Sequence, residues 1–288
     1  MQKIHYERYL TVGIRGLDWL DSKPIDSMKI FLTLILFQLE IAMLLSVIKW
    51  IAGILYSLLM GTVAIIVSIV CKNPNAVRSV TRVWGRGMCR LSGVRVEVSG
   101  IENILKDKSQ IFISNHQGMY DIFILEGYLP ANFLWIAKEN LFKIPIIGWA
   151  MSRAGYIGIN RTSPKKFLES LSRAVDEIKN GKSIIIFPEG TRTLDGSIGK
   201  FKRGSLFLIF KTAVPVVPIT ISGSFDILKK GEFRINSGRV RVHIDKSIEV
   251  KEKSDAEADS GEEGQLLNSF RDIIVNNLQK LKAEEGVR

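Results

Sequence analysis

The chain has 288 residues, and 40 Lys and Arg against 29 Asp and Glu give it a formal charge of +11. An apolar fraction of 46% beside 24% charged residues excludes a mostly disordered chain, and the length suits one large or two small domains. Two cysteines and three histidines exclude a disulfide framework, a paired-cysteine zinc site and a multi-histidine metal centre.

The basic excess leaves two classes of partner, nucleic acid or an anionic membrane with its phosphorylated lipids. Residues 28–71 favour the membrane. Their second half, Ile51 to Cys71, is 21 residues without a charge, enough to cross a hydrocarbon core of about 30 Å. The first half is equally apolar but carries Gln38, Glu40 and Lys49. The run starts too late, and is too long, for a cleaved signal peptide. Lys3, Arg8, Arg15, Lys23 and Lys29 precede it; Lys72, Arg78, Arg82, Arg86, Arg90 and Arg95 follow it. Cationic flanks on both sides disfavour a single crossing. The sequence therefore predicts two helices that enter and return, with a break near Trp50–Gly53. They either span or lie within one leaflet, with Glu40 and Lys49 near the headgroups. The basic stretch 72–95 then rests on anionic lipid, and nucleic acid is not expected.

Residues 75–91 predict a basic linking helix. From Val94 onward short β-rich runs, 94–98, 110–114, 132–137, 156–160, 183–187, 216–221 and 239–244, alternate with helical stretches at 119–128, 146–153, 164–179 and 204–212. Pro164 opens its helix and Asn180-Gly181 closes it. This alternation predicts an α/β fold: an N-terminal membrane-embedded helical hairpin, then a domain with a largely parallel central sheet flanked by helices. Residues 251–264 read as a polar linker. Beyond them Leu266, Leu267, Phe270, Ile273, Ile274, Leu278 and Leu281 mark one face of a last amphipathic helix. It either docks on the domain or touches the membrane. The expected segments are thus 1–72, 73–250 and 251–288.

Three chemically suggestive groups follow three apolar strands: Asn115-His116 after 110–114, Arg161 after 156–160, and Pro188-Glu189-Gly190-Thr191-Arg192 after 183–187. Ligands of open α/β sheets bind beyond the carboxyl ends of the strands, so parallel strands would gather an imidazole, guanidiniums and a carboxylate on one rim. In one ideal helix His116 and Asp121 would lie about 140° apart and could not touch. A turn at Gly118, with the helix starting near Met119, lets the chain fold back so that they meet. An Asp on one ring nitrogen fixes the tautomer and leaves the other free to take a proton. Arg192 offers a planar fork for phosphate, Gly190 and Thr191 offer backbone and hydroxyl donors, and Glu189 can accept from substrate hydroxyls or hold the arginine. Lys138 and Arg161 are further candidate phosphate ligands. No GxSxG elbow, phosphate loop or dinucleotide fingerprint is present, which counts against serine hydrolases, nucleotidases and dehydrogenases.

These residues together resemble the glycerolipid acyltransferase family, and most closely its 1-acylglycerol-3-phosphate acyltransferases. Asn115 through Asp121 is similar to the family's NHxxxxD block, and Lys138 through Pro145-Ile146-Ile147-Gly148 to Arg161 to its second block. Phe187-Pro188-Glu189-Gly190-Thr191-Arg192 matches the third, and Val214-Pro215-Val216-Val217-Pro218-Ile219 the fourth. The resemblance implies acyl transfer from a thioester of coenzyme A or acyl carrier protein to the free hydroxyl of lysophosphatidic acid. It implies His116 as base, Asp121 orienting it, and Arg192, Glu189, Arg161 and Lys138 holding phosphate and glycerol. Neither metal nor bound cofactor is implied. The expected site is the cytoplasmic face of a bacterial inner membrane. Glycerol 3-phosphate or a lyso-aminolipid are alternative acceptors; a membrane hydrolase and a lipid-binding scaffold are the rival classes. Acyl-chain length, thioester carrier and oligomeric state are not read from the sequence.

Overall fold

A computed structural model of the chain describes residues 24–71, 74–251 and 260–286. By packing, one unit ends at Val47 and another begins at Ile48. The described part of the first unit belongs to helix α1 (Pro24–Val70). Its large apolar side chains face outward all round, with Leu32, Phe37 and Leu44 each more than half exposed. A helix without a polar face needs an apolar surround. Among the described residues, Met28–Val70 is long and apolar enough to cross a membrane. At 1.5 Å per residue it extends about 65 Å, roughly twice a hydrocarbon core.

The break expected near Trp50–Gly53 is not formed, because α1 runs unbroken to Val70. A returning helix exists, but it is α2 (Pro74–Leu91), which packs back along the part of α1 beyond Ile48. Gly53 is a contact point rather than a hinge: a Cβ there would sit 3.0 Å from Met88 Cε. Trp84 Nε1 donates to Ser57 Oγ at 3.0 Å, and the Tyr56 hydroxyl donates to Val83 O. One helical glycine costs roughly 1 kcal/mol, too little to break a helix held along this face. Lys49, expected near headgroups, donates to Ile235 O and Ser237 Oγ, both at 3.1 Å.

The α/β part is built on one seven-stranded sheet. Its strands are β1 (Val94–Ser99), β2 (Ile111–Ser114), β3 (Phe133–Lys138), β4 (Ile157–Ile159), β5 (Ser183–Ile186), β6 (Val216–Ser222) and β7 (Gly238–Ile244). Each matches an expected strand to within one residue at either end. The order is β1-β7-β6-β2-β5-β3-β4. Strands β6, β2, β5, β3 and β4 run parallel; β7 is antiparallel to β6 and carries β1 with it. Strands β2, β5 and β6 are buried at every position because both faces of the sheet are covered.

The covering helices are α3 (Tyr120–Tyr128), α4 (Ile147–Arg153), α5 (Pro164–Lys179), α6 (Gly204–Thr212), the short α7 (Ser224–Ile227) and α8 (Ser260–Gly286). On one face Met88 of α2 and Phe123 and Ile124 of α3 pack on Phe112, Ile185 and Ile219. On the other, Leu171 and Ile178 of α5 and Leu206 and Ile209 of α6 pack on Ile111, Ile184 and Val216. Each such side chain contributes about 1.5–3 kcal/mol when fully buried. Ser163 caps α5 by accepting from Lys166 N, with Pro164 next to it.

The last helix docks on the sheet: Leu267, Phe270, Ile274 and Leu278 enter the same core as α5 and α6. It begins at Ser260, so the end of the expected linker is helical, with Glu262 and Glu263 complementing the dipole of its first turn. The linker residues 252–259 lie outside the described residues.

Candidate active site

Because β6, β2, β5, β3 and β4 are parallel, their carboxyl ends share a rim, and the expected residues lie along it. Asn115 leaves β2 fully buried and extends the sheet with its carboxamide, accepting from Ile221 N at 2.8 Å and donating to Ile221 O at 2.9 Å. The segment 115–118 is not helical, and α3 starts only after Met119. Asp121, in the first turn, therefore reaches back: its Oδ2 lies 2.8 Å from His116 Nδ1 and accepts from Gln117 N at 2.7 Å and Gly118 N at 2.9 Å. Gly118 is required by close approach, since a Cβ there would sit 2.5 Å from Ser224 O.

A carboxylate only accepts, so Nδ1 carries the proton and Nε2 presents a bare lone pair. Among the described residues nothing bonds Nε2. The imidazole is 14% exposed and Asp121 fully buried. The plane of the ring is fixed as well. Phe187 stacks on it at 3.9 Å between centroids and 9°, and Trp135 stacks on Phe187 at 5.7 Å. Trp135 Nε1 in turn donates to Glu126 Oε2 at 2.6 Å. Phe187 was legible only as part of a motif, and Trp135 and Glu126 carried no signal.

The backbone of His116 is held at both ends. Its N–H donates to Glu189 Oε1 at 2.8 Å, and its carbonyl accepts from Thr193 N at 3.0 Å. Glu189 Oε2 accepts from Gly199 N at 2.9 Å. Glu189 thus engages two backbone amides rather than the Arg192 guanidinium, because the loop after β5 folds back over its carboxylate. Burial pushes this carboxyl above the usual glutamate range, while the bonds from His116 and Gly199 pull it down.

The cations lie farther along the rim. Lys138 ends β3, exposed, in register with Ile159 of β4. Two residues beyond Ile159, the exposed Arg161 places Nη1 3.5 Å from Gly190 O. Gly190 takes φ 69°, where a side chain would be strained, and a Cβ there would sit 3.0 Å from Lys202 Nζ. Arg192 is partly exposed. Thr191 Oγ1 accepts from Lys230 Nζ at 2.9 Å. Lys230 was missed, because a Lys-Lys-Gly turn 39 residues from Thr191 carries no motif. Among the described residues no group of three or more His, Cys, Asp or Glu could hold a metal ion. The arrangement offers a fixed, bare imidazole nitrogen on the same rim as exposed and half-exposed cations. Chemically it suits removal of a proton from a group whose anionic neighbour the cations hold.

Residues 95–222 match the family model described as Acyltransferase. Over 193 residues the chain is 32% identical to a 1-acyl-sn-glycerol-3-phosphate acyltransferase of Borreliella burgdorferi, covering 67% of this chain and 75% of that protein. It is 42% identical over 156 residues to a chloroplastic 1-acyl-sn-glycerol-3-phosphate acyltransferase of Arabidopsis thaliana, 54% of this chain and 44% of that one. The chain spans somewhat less than half the length of the chloroplastic relatives of Brassica napus and Arabidopsis thaliana. It is also similar to the crystal structure of the 1-acyl-sn-glycerophosphate acyltransferase of Thermotoga maritima. There the TM-score is 0.70 and the identity 28%, covering 83% of this chain and 95% of that one.

Proposed function

The chain belongs to the acyltransferase family, and from that premise we propose that it moves an acyl chain from a thioester to the free hydroxyl of 1-acylglycerol 3-phosphate, giving phosphatidic acid. The observation that carries this reading is the His116–Asp121 bond, which leaves Nε2 bare on a rim lined with cations. Nε2 takes the proton of the glycerol hydroxyl as its oxygen attacks the thioester carbonyl. Collapse of the tetrahedral intermediate expels the thiolate, which recovers the proton from the imidazolium. Asp121 holds the tautomer and stabilises the charged ring; such base assistance typically contributes about 10²–10⁴-fold.

Arg192, Arg161 and Lys138 hold the substrate phosphate, with the Gly190 and Thr191 loop presenting donors beside them and Lys230 joining from the far side. Glu189 acts behind the imidazole, through the backbone. No enzyme nucleophile is needed for a direct transfer. Residues 73–250 carry the chemistry, 1–72 the membrane segment, and 251–288 the linker and a helix that supports the sheet.

Exposed apolar residues along α1 support membrane association. We place the protein on the cytoplasmic face of a bacterial inner membrane, resting on anionic lipid, with coenzyme A or acyl carrier protein as thioester carrier. Incubation of the purified protein with an acyl thioester and oleoyl-lysophosphatidate tests the reaction. Free thiol and phosphatidate in equal amounts are expected, with little product on glycerol 3-phosphate. Thiol accompanied by free fatty acid instead would contradict the proposal.

A further inference from the structure

We propose that Arg271, on the C-terminal helix α8, is a positioning residue for the reacting imidazole, acting through the Ile198–Gly199 turn and Glu189. Arg271 lies beyond the residues that match the acyltransferase model. Its guanidinium grips two successive carbonyls, Nη2 donating to Ile198 O at 2.9 Å and Nε to Gly199 O at 3.1 Å. The next bond in the series runs from Gly199 N to Glu189 Oε2 at 2.9 Å, and the next from His116 N to Glu189 Oε1 at 2.8 Å. Three consecutive links join a helix outside the residues that match the family model to the backbone of the base.

Both ends of the series are anchored. On one side Phe270, the neighbour of Arg271, is fully buried, with Leu267, Ile274 and Leu278 beside it in the core. On the other, Ile198 is itself in that core, and a Cβ on Gly199 would sit 3.2 Å from Glu189 Oε2, so the peptide lies flush on the carboxylate. The same loop holds the other backbone group of His116, through Thr193 N. A planar fork can grip adjacent carbonyls at once, whereas an ammonium is a single point charge. The only described ion-pair partner of Arg271 is the neighbouring Asp272, at 3.6 Å.

Loss of the clamp loosens Gly199 from Glu189 and with it the register of His116. Glu189 then loses one of the two backbone donors that restrain its proton affinity, while His116 and Asp121 still face it. It protonates at a higher pH, and the acid side of the activity profile moves upward. A helix that merely props the sheet would lower activity without moving that limb.

The assay rests on the acyl-transfer reading and uses the full chain with oleoyl-lysophosphatidate and an acyl thioester. Arg271→Ala is expected to lower kcat by about 10–100-fold, as small displacements of a reacting group do, and to shift the acid limb upward. Millimolar guanidinium should restore much of this loss, and Arg271→Lys should retain an intermediate rate. Leu278→Ala, which loosens the helix away from the loop, should lower the melting temperature and respond to guanidinium not at all. Wild-type turnover in Arg271→Ala, or a loss that neither guanidinium nor lysine relieves, would overturn the clamp. If the wild type forms no phosphatidate, the acyl-transfer reading alone fails. The clamp is then decided by hydrogen exchange at the His116 amide: faster exchange in Arg271→Ala supports it, and unchanged protection overturns it.

Discussion

The proposed base and the proposed phosphate ligands occupy one rim but are held in opposite ways. His116 has a ring nitrogen on Asp121, a ring face on Phe187, its amide on Glu189 and its carbonyl on Thr193. Lys138 and Arg161 are exposed, and the Arg161 bond to Gly190 O is long at 3.5 Å. Proton transfer requires near-attack geometry, where an error of about 1 Å can cost roughly 100-fold, so the base is fixed from every side. A phosphate is gripped well by long cations that reorganise around it, and a cation already paired would first have to leave its partner. On the proposed reading, rigidity is placed where the proton would move and freedom where the charge would be held.

His116→Ala attacks the firm half directly and should lower kcat by about 10²–10⁴-fold, with KM for lysophosphatidate little changed in initial-rate assays. Asp121→Asn should come close to that loss, because an amide can offer a donor to Nδ1 and turn the proton onto Nε2. A base of the wrong tautomer should then be visible in nitrogen chemical shifts of the ring. For Glu189→Gln, a loss of about 10–100-fold at neutral pH is expected, since one of the two amides meets an NH₂ instead of an oxygen.

The pH dependence of the wild type sharpens the same point. Above its folded pKa, Glu189 is ionised and accepts from both His116 and Gly199. Burial raises that pKa above the ordinary glutamate value. As pH falls through the raised value, a proton on one oxygen opposes a backbone N–H, so activity declines earlier than an exposed glutamate would allow. A pH–rate series on Glu189→Gln should lack this component.

On the cation side the effects are smaller and fall on binding. Arg192→Ala should raise KM by about 10–100-fold, the equivalent of about 1.5–3 kcal/mol for a bond to a charged group, with kcat at saturation retained. Arg161→Ala should change KM by no more than about 5-fold, since exposed charge contacts are worth about 0–1 kcal/mol.

Much of the sheet was legible because each strand is a short β-rich run set off by turn residues, as in Ser183–Ile186 between Asn180-Gly181 and Pro188. The meeting of His116 with Asp121 followed from the non-helical turn before α3. Other features depend on contacts that sequence does not encode locally. Glu189 takes its role from Gly199 and His116, which only the folded loop brings to it. The position of the helical return was missed for an electrostatic reason. The sequence suggests that the arginines after residue 72 rest on lipid, but Arg78 is buried. Arg82 donates to Ala131 O at 2.9 Å and Arg86 to Gly127 O at 2.6 Å. Those charges serve the domain, so they gave no reason for a break inside α1. The short α7 and Lys230 lie in turns with no periodicity to reveal them.

The most direct test of this division of labour is kcat and KM for lysophosphatidate measured side by side in folded His116→Ala and Arg192→Ala. The account predicts that the first loses turnover with KM nearly intact and the second loses affinity with turnover nearly intact. Substantial turnover in His116→Ala, or the same parameter lost in both, would contradict it.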